Sequence, residues 1–236
     1  MIEVGPQSFE DMRKADFLND NYYHIYNRGA DKRQIFSDNL DYVRFIHYLY
    51  EFNDSKNVFN CGRNIDGGPT SIIKERDALV EIVTFCLMPN HFHLILKQLK
   101  DGGITKFMRK LGTGYAMYFN QKNKRNGVLF QGKFKAIPIE NDNYLIHLSR
   151  YIHINPIEFT EPDWKTKGIK NWDEAGEFLK HYRWSSYLDY IGIKNFPSII
   201  NKNVINSLFS GESSYENFIG RFVGGDSEVI NNLILE

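Results

Sequence analysis

The chain has 236 residues, of which 42% are hydrophobic and 15% aromatic, and its 29 Lys and Arg balance 29 Asp and Glu; such a composition suits a folded globular chain and excludes intrinsic disorder. Two cysteines, Cys61 and Cys86, without a CxxC pair exclude a disulfide scaffold or zinc finger, and no apolar run approaches the ~20 residues of a membrane span, so a soluble chain in a reducing cytoplasm is expected. The zero net charge hides an asymmetry: residues 102–139 contain no Asp or Glu but eight cations, Lys106, Arg109, Lys110, Lys122, Lys124, Arg125, Lys133 and Lys135, which leaves minus eight for the remainder. A field concentrated in this way is the footprint of a polyanion, where the plainer alternative is a solvated face.

Residues 1–20 are polar and aperiodic and read as a tail. Asn21 to Gly29 carries β-formers, stops at glycine and reads as a first strand and turn, with Arg28, Lys32 and Arg33 clustered at its end. Asp38 or Asn39 caps a helix carrying Tyr42, Val43, Phe45, Ile46, Leu49 and Tyr50 at helical spacing. Residues 54–77 form a long glycine-bearing loop. Leu79 to Leu87 is a second strand, and Met88-Pro89-Asn90 returns the chain antiparallel into a third, His91 to Leu96. Thr105 to Asn120 is an amphipathic helix weakened by Gly112 and Gly114, Val128 to Ile139 a fourth strand, and Asn141-Asp142 caps a helix running to Ile152. This order predicts an α+β chain built on a ferredoxin-like four-stranded antiparallel sheet with helices packed on one face. A core domain over 21–160, with 54–77 as an insertion, is followed by a helical C-terminal extension over 173–236.

His91-Phe92-His93 lies in a strand, where residues two apart share a face, so both imidazoles can reach one cation while Phe92 and Leu94 face a core. Two polar-face histidines on a half-buried strand would look the same. Four residues separate Tyr151 from Asn155, which stacks them on one face of the last core helix, and Pro156 should push Asn155 out of the α conformation and close that helix. A buried tyrosine with an Asn-Pro helix stop is the alternative. His24, His47, His147 and His181 read as satisfied or solvent-facing.

Met88-Pro-Asn-His-Phe-His93, Leu129-Phe-Gln-Gly-Lys-Phe-Lys135 and Tyr151-Ile-His-Ile-Asn-Pro156, with Tyr23 to Gly29 and Tyr182 to Tyr187, together resemble the single-tyrosine transposases of the HUH superfamily, in the variant of the REP-associated tyrosine transposases. The likeness spans about residues 20–192. It implies a DNA transposase or nickase that cleaves and rejoins single-stranded, hairpin-containing DNA through a 5′-phosphotyrosine, with Tyr151 as nucleophile and His91, His93 and Asn155 holding Mg2+ or Mn2+. The shorter insertion-sequence relatives carry Gln at the third ligand position, where this chain has Asn155, and they lack an extension such as 173–236. Arg28 and the eight cations would hold the DNA backbone, and the family allows a monomer or a homodimer. Two other functions share the residues: a domesticated hairpin binder without turnover, and a metal phosphodiesterase that uses water.

Overall fold

The computed structural model describes residues 17–56, 76–209 and 215–221; residues 1–16 of the expected tail, most of the 54–77 loop and the last expected helix lie outside them, while the tail's residues 17–20 bond to β-strand residues Tyr23 and Gln98. Four antiparallel strands form one sheet in the order β2-β3-β1-β4, from β1 (Tyr22–Arg28), β2 (Val80–Met88), β3 (His91–Gln98) and β4 (Lys135–Ile139). With α1 (Asn39–Glu51) between β1 and β2, and α2 (Gly103–Lys122) between β3 and β4, this is the ferredoxin-like arrangement the sequence predicts.

Period-two alternation in β3 decides where each core sits. Phe92, Leu94 and Leu96 join Phe45 and Leu49 of α1 and Phe107 and Leu111 of α2 in one buried cluster. Ile95, from the opposite face, joins Leu148, Tyr151 and Ile152 of α3 (Asp142–Ile154) in a second. Helices therefore cover both faces, not one. The second cover is completed by α4 (Trp164–Lys167), α5 (Trp172–His181), α6 (Tyr187–Tyr190), α7 (Asn203–Asn206) and α8 (Tyr215–Gly220), whose Trp164, Leu179, Tyr190, Ile205 and Tyr215 are buried there. Backbone bonds tie the extension to β2: Leu87 N–H donates to the Trp184 carbonyl at 2.9 Å and Ser186 N–H to the Phe85 carbonyl at 3.0 Å. Among the described residues no helix is long and apolar enough to cross a membrane.

Local signals placed most boundaries. Asp38 caps α1 by accepting from Asp41 N–H, and Asn141 caps α3 by accepting from Tyr144 N–H. The expected strand over 128–139 shrinks to Lys135–Ile139, because residues 129–131 pair with the chain after β1 instead: Ala30 N–H donates to the Leu129 carbonyl and Gln131 N–H to the Arg28 carbonyl. Pro138 is tolerated because β4 is an edge strand.

The two glycines of α2 have different roles. A Cβ at Gly114 would sit 2.6 Å and 2.7 Å from ring atoms of Phe52, at the end of α1, whereas a Cβ at Gly112 meets nothing within 4 Å. Gly114→Ala is expected to destabilise by about 1–3 kcal/mol through overpacking, and Gly112→Ala to stabilise by about 0.5–1 kcal/mol through helix propensity alone. Denaturant melts showing the same sign for both would refute the packing role of Gly114.

Candidate functional site

The histidine-bearing face of the sheet packs against α3. His93 is fully buried and pairs across β1 with Tyr26, while His91 pairs with Arg28 at the open end of the strand. The two imidazole centroids are 5.0 Å apart and nearly perpendicular. Tyr151, 2% exposed, sets its ring edge-on to His93 with centroids 6.2 Å apart. The structure thus brings the phenol beside the imidazole pair from the same chain. Asn155, fully buried, follows one turn later.

Asn155 departs from the expected geometry. It keeps an α-region backbone (φ −51°, ψ −38°) and opens a 3-10 turn, Asn155–Phe159, instead of stopping the helix in extended conformation. Proline costs little here, since an N–H in the first turn of a helix has no partner to lose.

Hydrogen bonds behind the imidazoles fix which ring nitrogens face the site. Asn90 Oδ1 lies 2.6 Å from His91 Nδ1. An amide oxygen accepts, so His91 carries its proton on Nδ1 and presents a lone pair at Nε2, a buried atom with no hydrogen-bond partner. His24 Nε2 lies 2.9 Å from His93 Nδ1 in the same orienting position. If His93 Nδ1–H donates, His93 too presents Nε2, and His24 takes its own proton on Nδ1. Both side-chain amide atoms of Asn155 are also buried without a partner. Burial keeps the imidazoles neutral: His93 is pushed down to about 3 by burial and then by the Lys165 charge, while His91 falls well below the usual histidine range through burial, His93, Lys165 and Arg28. His24 is lowered in the same way, by burial and then by His93. Neutral nitrogens and an amide oxygen form a donor set that suits a divalent cation. Among the described residues no three His, Cys, Asp or Glu side chains gather as a metal cluster.

The expected cations do not form one track. Lys122 is held by Asp38 at 2.7 Å and the buried Asp41 at 2.6 Å. Lys106 donates to the Ser55 carbonyl, and Lys110 to the Asp54 and Lys56 carbonyls, so these two brace the turn after α1. Lys135 lies over the Tyr26 ring at 5.5 Å, on the histidine face, and Arg125 over Phe119 at 5.8 Å. Lys124 sits in a left-handed backbone turn (φ 50°). Arg109 and Lys133 line a cavity of about 1500 Å³ between α2 and the 127–134 segment, with Phe17, Met117 and Phe134, on the face away from the histidines. Arg28 reaches His91 electrostatically. Sequence reasoning missed His24 and Lys165: the first looks like any strand histidine, and the second falls in 157–172, a stretch whose Pro162 and Gly168 make it read as loop.

A family model described as "Transposase IS200 like" matches residues 70–155, a span that holds both histidines, Tyr151 and Asn155. Among solved structures, a REP-associated tyrosine transposase bound to a REP hairpin superposes with a TM-score of 0.48 at 14% identity, covering 78% of this chain and 87% of that one. No curated protein matches the chain.

Behind Tyr151 a buried polar network holds α3. His153 Nδ1 lies 2.7 Å from the Tyr215 hydroxyl and Nε2 2.7 Å from Ser186 Oγ, while Tyr215 donates to Ser149 Oγ at 3.0 Å. Burial pushes His153 down to about 3. Unfolded, an imidazole titrates near ~6.5, so between these values the unfolded chain binds the extra proton, and stability falls as pH drops below ~6.5 by about 1.4 kcal/mol per unit. His153→Gln should therefore be less stable than wild type at pH 7.5 yet lose about 1 kcal/mol less on going to pH 5.5. Parallel losses in urea titrations at the two pH values would show that His153 does not drive the acid sensitivity.

Proposed function

We propose that the chain is an IS200-like transposase that cleaves and rejoins single-stranded, hairpin-containing DNA through Tyr151, with His91, His93 and Asn155 holding Mg2+ or Mn2+. The observation that carries this reading is the packing of the Tyr151 ring directly against His93, in a site where the His91 Nε2 and Asn155 amide atoms are buried without hydrogen-bond partners. Leaving such atoms unpaired costs about 1–3 kcal/mol each, and a ligand that takes them up offsets that cost. When bound, a divalent ion supplies positive charge that polarises the phosphodiester and stabilises the departing oxygen.

The chain's own groups do the rest. Tyr151 Oη attacks the phosphorus and forms the phosphotyrosine bond as the bond to the 3′ oxygen breaks; the phenol proton passes to solvent and the 3′ oxygen takes one up. The product keeps a 5′-phosphotyrosine and a free 3′ hydroxyl, and because the covalent bond retains the ester's energy, the reverse attack reseals without ATP. Asn90 and His24 hold the imidazoles in the required tautomer. Both halves of the site come from one chain, so a monomer suffices. The core over 21–160, with its 54–77 insertion, supplies the chemistry, and Ser186 and Tyr215 of the 173–236 extension brace α3. With Lys106, Lys110 and Lys122 engaged on their own chain, Arg28, Arg109, Lys124, Arg125, Lys133 and Lys135 remain to hold phosphates, which position a strand without reading it.

A labelled hairpin oligonucleotide incubated with Mn2+ tests the reading on a denaturing gel. Wild type should form a protein–DNA adduct that Tyr151→Phe abolishes, and His91→Ala should lose cleavage while its hairpin affinity stays within about threefold, since the ligands act on the reacting phosphate and not on the backbone track. Cleavage that persists in Tyr151→Phe would point to a water-using phosphodiesterase; retention of the hairpin by wild type without any cleavage would point to a binder.

His24→Phe tests the orienting bond separately. Its Mn2+ affinity, measured by the free-ion electron paramagnetic resonance signal, should weaken about 10–100-fold, the usual cost of losing a ligand's supporting partner. Unchanged affinity would reduce His24 to a packing group.

A further inference from the structure

We infer that Lys165 is a further catalytic residue, whose ammonium binds the non-bridging oxygens of the scissile phosphate as Tyr151 attacks; the inference rests on the phosphotyrosine reading above. Lys165 sits on the short helix α4, next to Trp164, whose buried ring packs 5.8 Å from that of Tyr151. Its Nζ lies 5.7 Å from the Tyr151 ring centroid and 5.9 Å from that of Trp164. The Tyr151 side chain is almost wholly enclosed, whereas Lys165 keeps 24% of its side-chain exposure, so the ammonium stands at the rim between solvent and the proposed nucleophile.

Its charge also reaches both imidazoles, and that of Arg28 reaches His91. A positive group in that position works against a divalent ion held by the same histidines. Among the described residues its carboxylate partner is Glu158, 3.4 Å away and 46% exposed, a contact worth at most about 1 kcal/mol. What makes a cation favourable there is an anion between it and the imidazoles. A phosphodiester brings one negative charge and gains a second as the phenol oxygen adds, and a positioned cation at that place stabilises the second charge more than the first.

The step balances without any further reagent. The Tyr151 Oη–P bond forms and the P–O3′ bond breaks, as described above, while Lys165 remains an ammonium throughout and transfers nothing.

The test uses the full chain with Lys165→Gln and Lys165→Arg, read by single-turnover adduct formation on the hairpin oligonucleotide, hairpin affinity, and Mn2+ affinity of the DNA-free protein. Lys165→Gln should form adduct about 10²–10³-fold more slowly, the usual cost of one lost donor to a developing oxyanion, while Lys165→Arg stays within about tenfold of wild type. Hairpin affinity should move less than about threefold. Mn2+ should bind Lys165→Gln as well as or better than wild type, because a repelling charge has gone, a change that general damage to the site would not give. Adduct formation by Lys165→Gln at the wild-type rate, an arginine variant as slow as the glutamine one, or Mn2+ binding weakened more than about tenfold would each overturn the assignment. If wild type forms no Tyr151 adduct, the phosphotyrosine reading itself has failed; an adduct in wild type with equal rates in Lys165→Gln removes the lysine alone.

Discussion

The enclosure of the sheet's second face is the constraint on which the site depends. β3 runs down the middle of the sheet, so its alternate residues face two different cores, and the face bearing His91, His93 and Ile95 is covered by α3 as thoroughly as the other is by α1 and α2. Polar atoms on a covered face must be paired within the protein or hold something. Most of them are paired: Asn90 takes one nitrogen of His91, His24 one of His93, and Ser186 and Tyr215 both of His153. Among the atoms left over, His91 Nε2 and the amide of Asn155 are metal-ligand donors in kind, on the face where Tyr151 and Tyr26 both pack on His93. A fold stabilised elsewhere can carry this local cost, and sites where the pairing rule fails are where function is expected.

The C-terminal helices account for how α3 is held. A helix that carried only the apolar side chains of Leu145, Leu148 and Ile152 could slide on the sheet, since dispersion contacts are not directional. The His153 network is directional. It links α3 to Ser186, which itself bonds Phe85 of β2, and to Tyr215 of α8, so the tyrosine's helix is pinned at three elements within two residues of Tyr151. Tyr190 ties α6 itself to β2, its hydroxyl donating to the Val83 carbonyl at 2.8 Å. Side chains on rigid, doubly supported elements hold their geometry far better than those on loops.

What the sequence made legible divides along one physical line. Local signals were readable: the Asp38 and Asn141 caps, the Pro89-Asn90 turn and the period-two pattern of β3 each depend on neighbours within a few residues, and each predicted its element. Partners distant in the chain were not. Lys122 reads as part of a DNA-facing run because nothing nearby shows Asp38 and Asp41 closing on it across more than 80 positions. Phe130 looks like strand interior, but its ring packs against Phe92 at 6.0 Å and its backbone follows Gly29 rather than the sheet ladder, which shortens β4. Lys165 is a lysine in a polar stretch until the fold sets it over Tyr151.

The balance of charge argues for the kind of substrate. The ligand candidates are two imidazoles kept neutral by burial and one uncharged amide, with no carboxylate among them. An ion held by neutral ligands keeps its full double charge, whereas carboxylate ligands would cancel part of it before any substrate arrives. Lys165 and Arg28 add positive field at the same place and Glu158 offsets only a little. A site charged in that way repels cations, gains little from neutral molecules, and becomes electrostatically satisfied only when an anion enters. Under the proposed reading that anion is a DNA phosphate which must reach a residue only 2% exposed, Tyr151, a demand that a flexible unpaired strand meets more readily than a rigid duplex with two backbones.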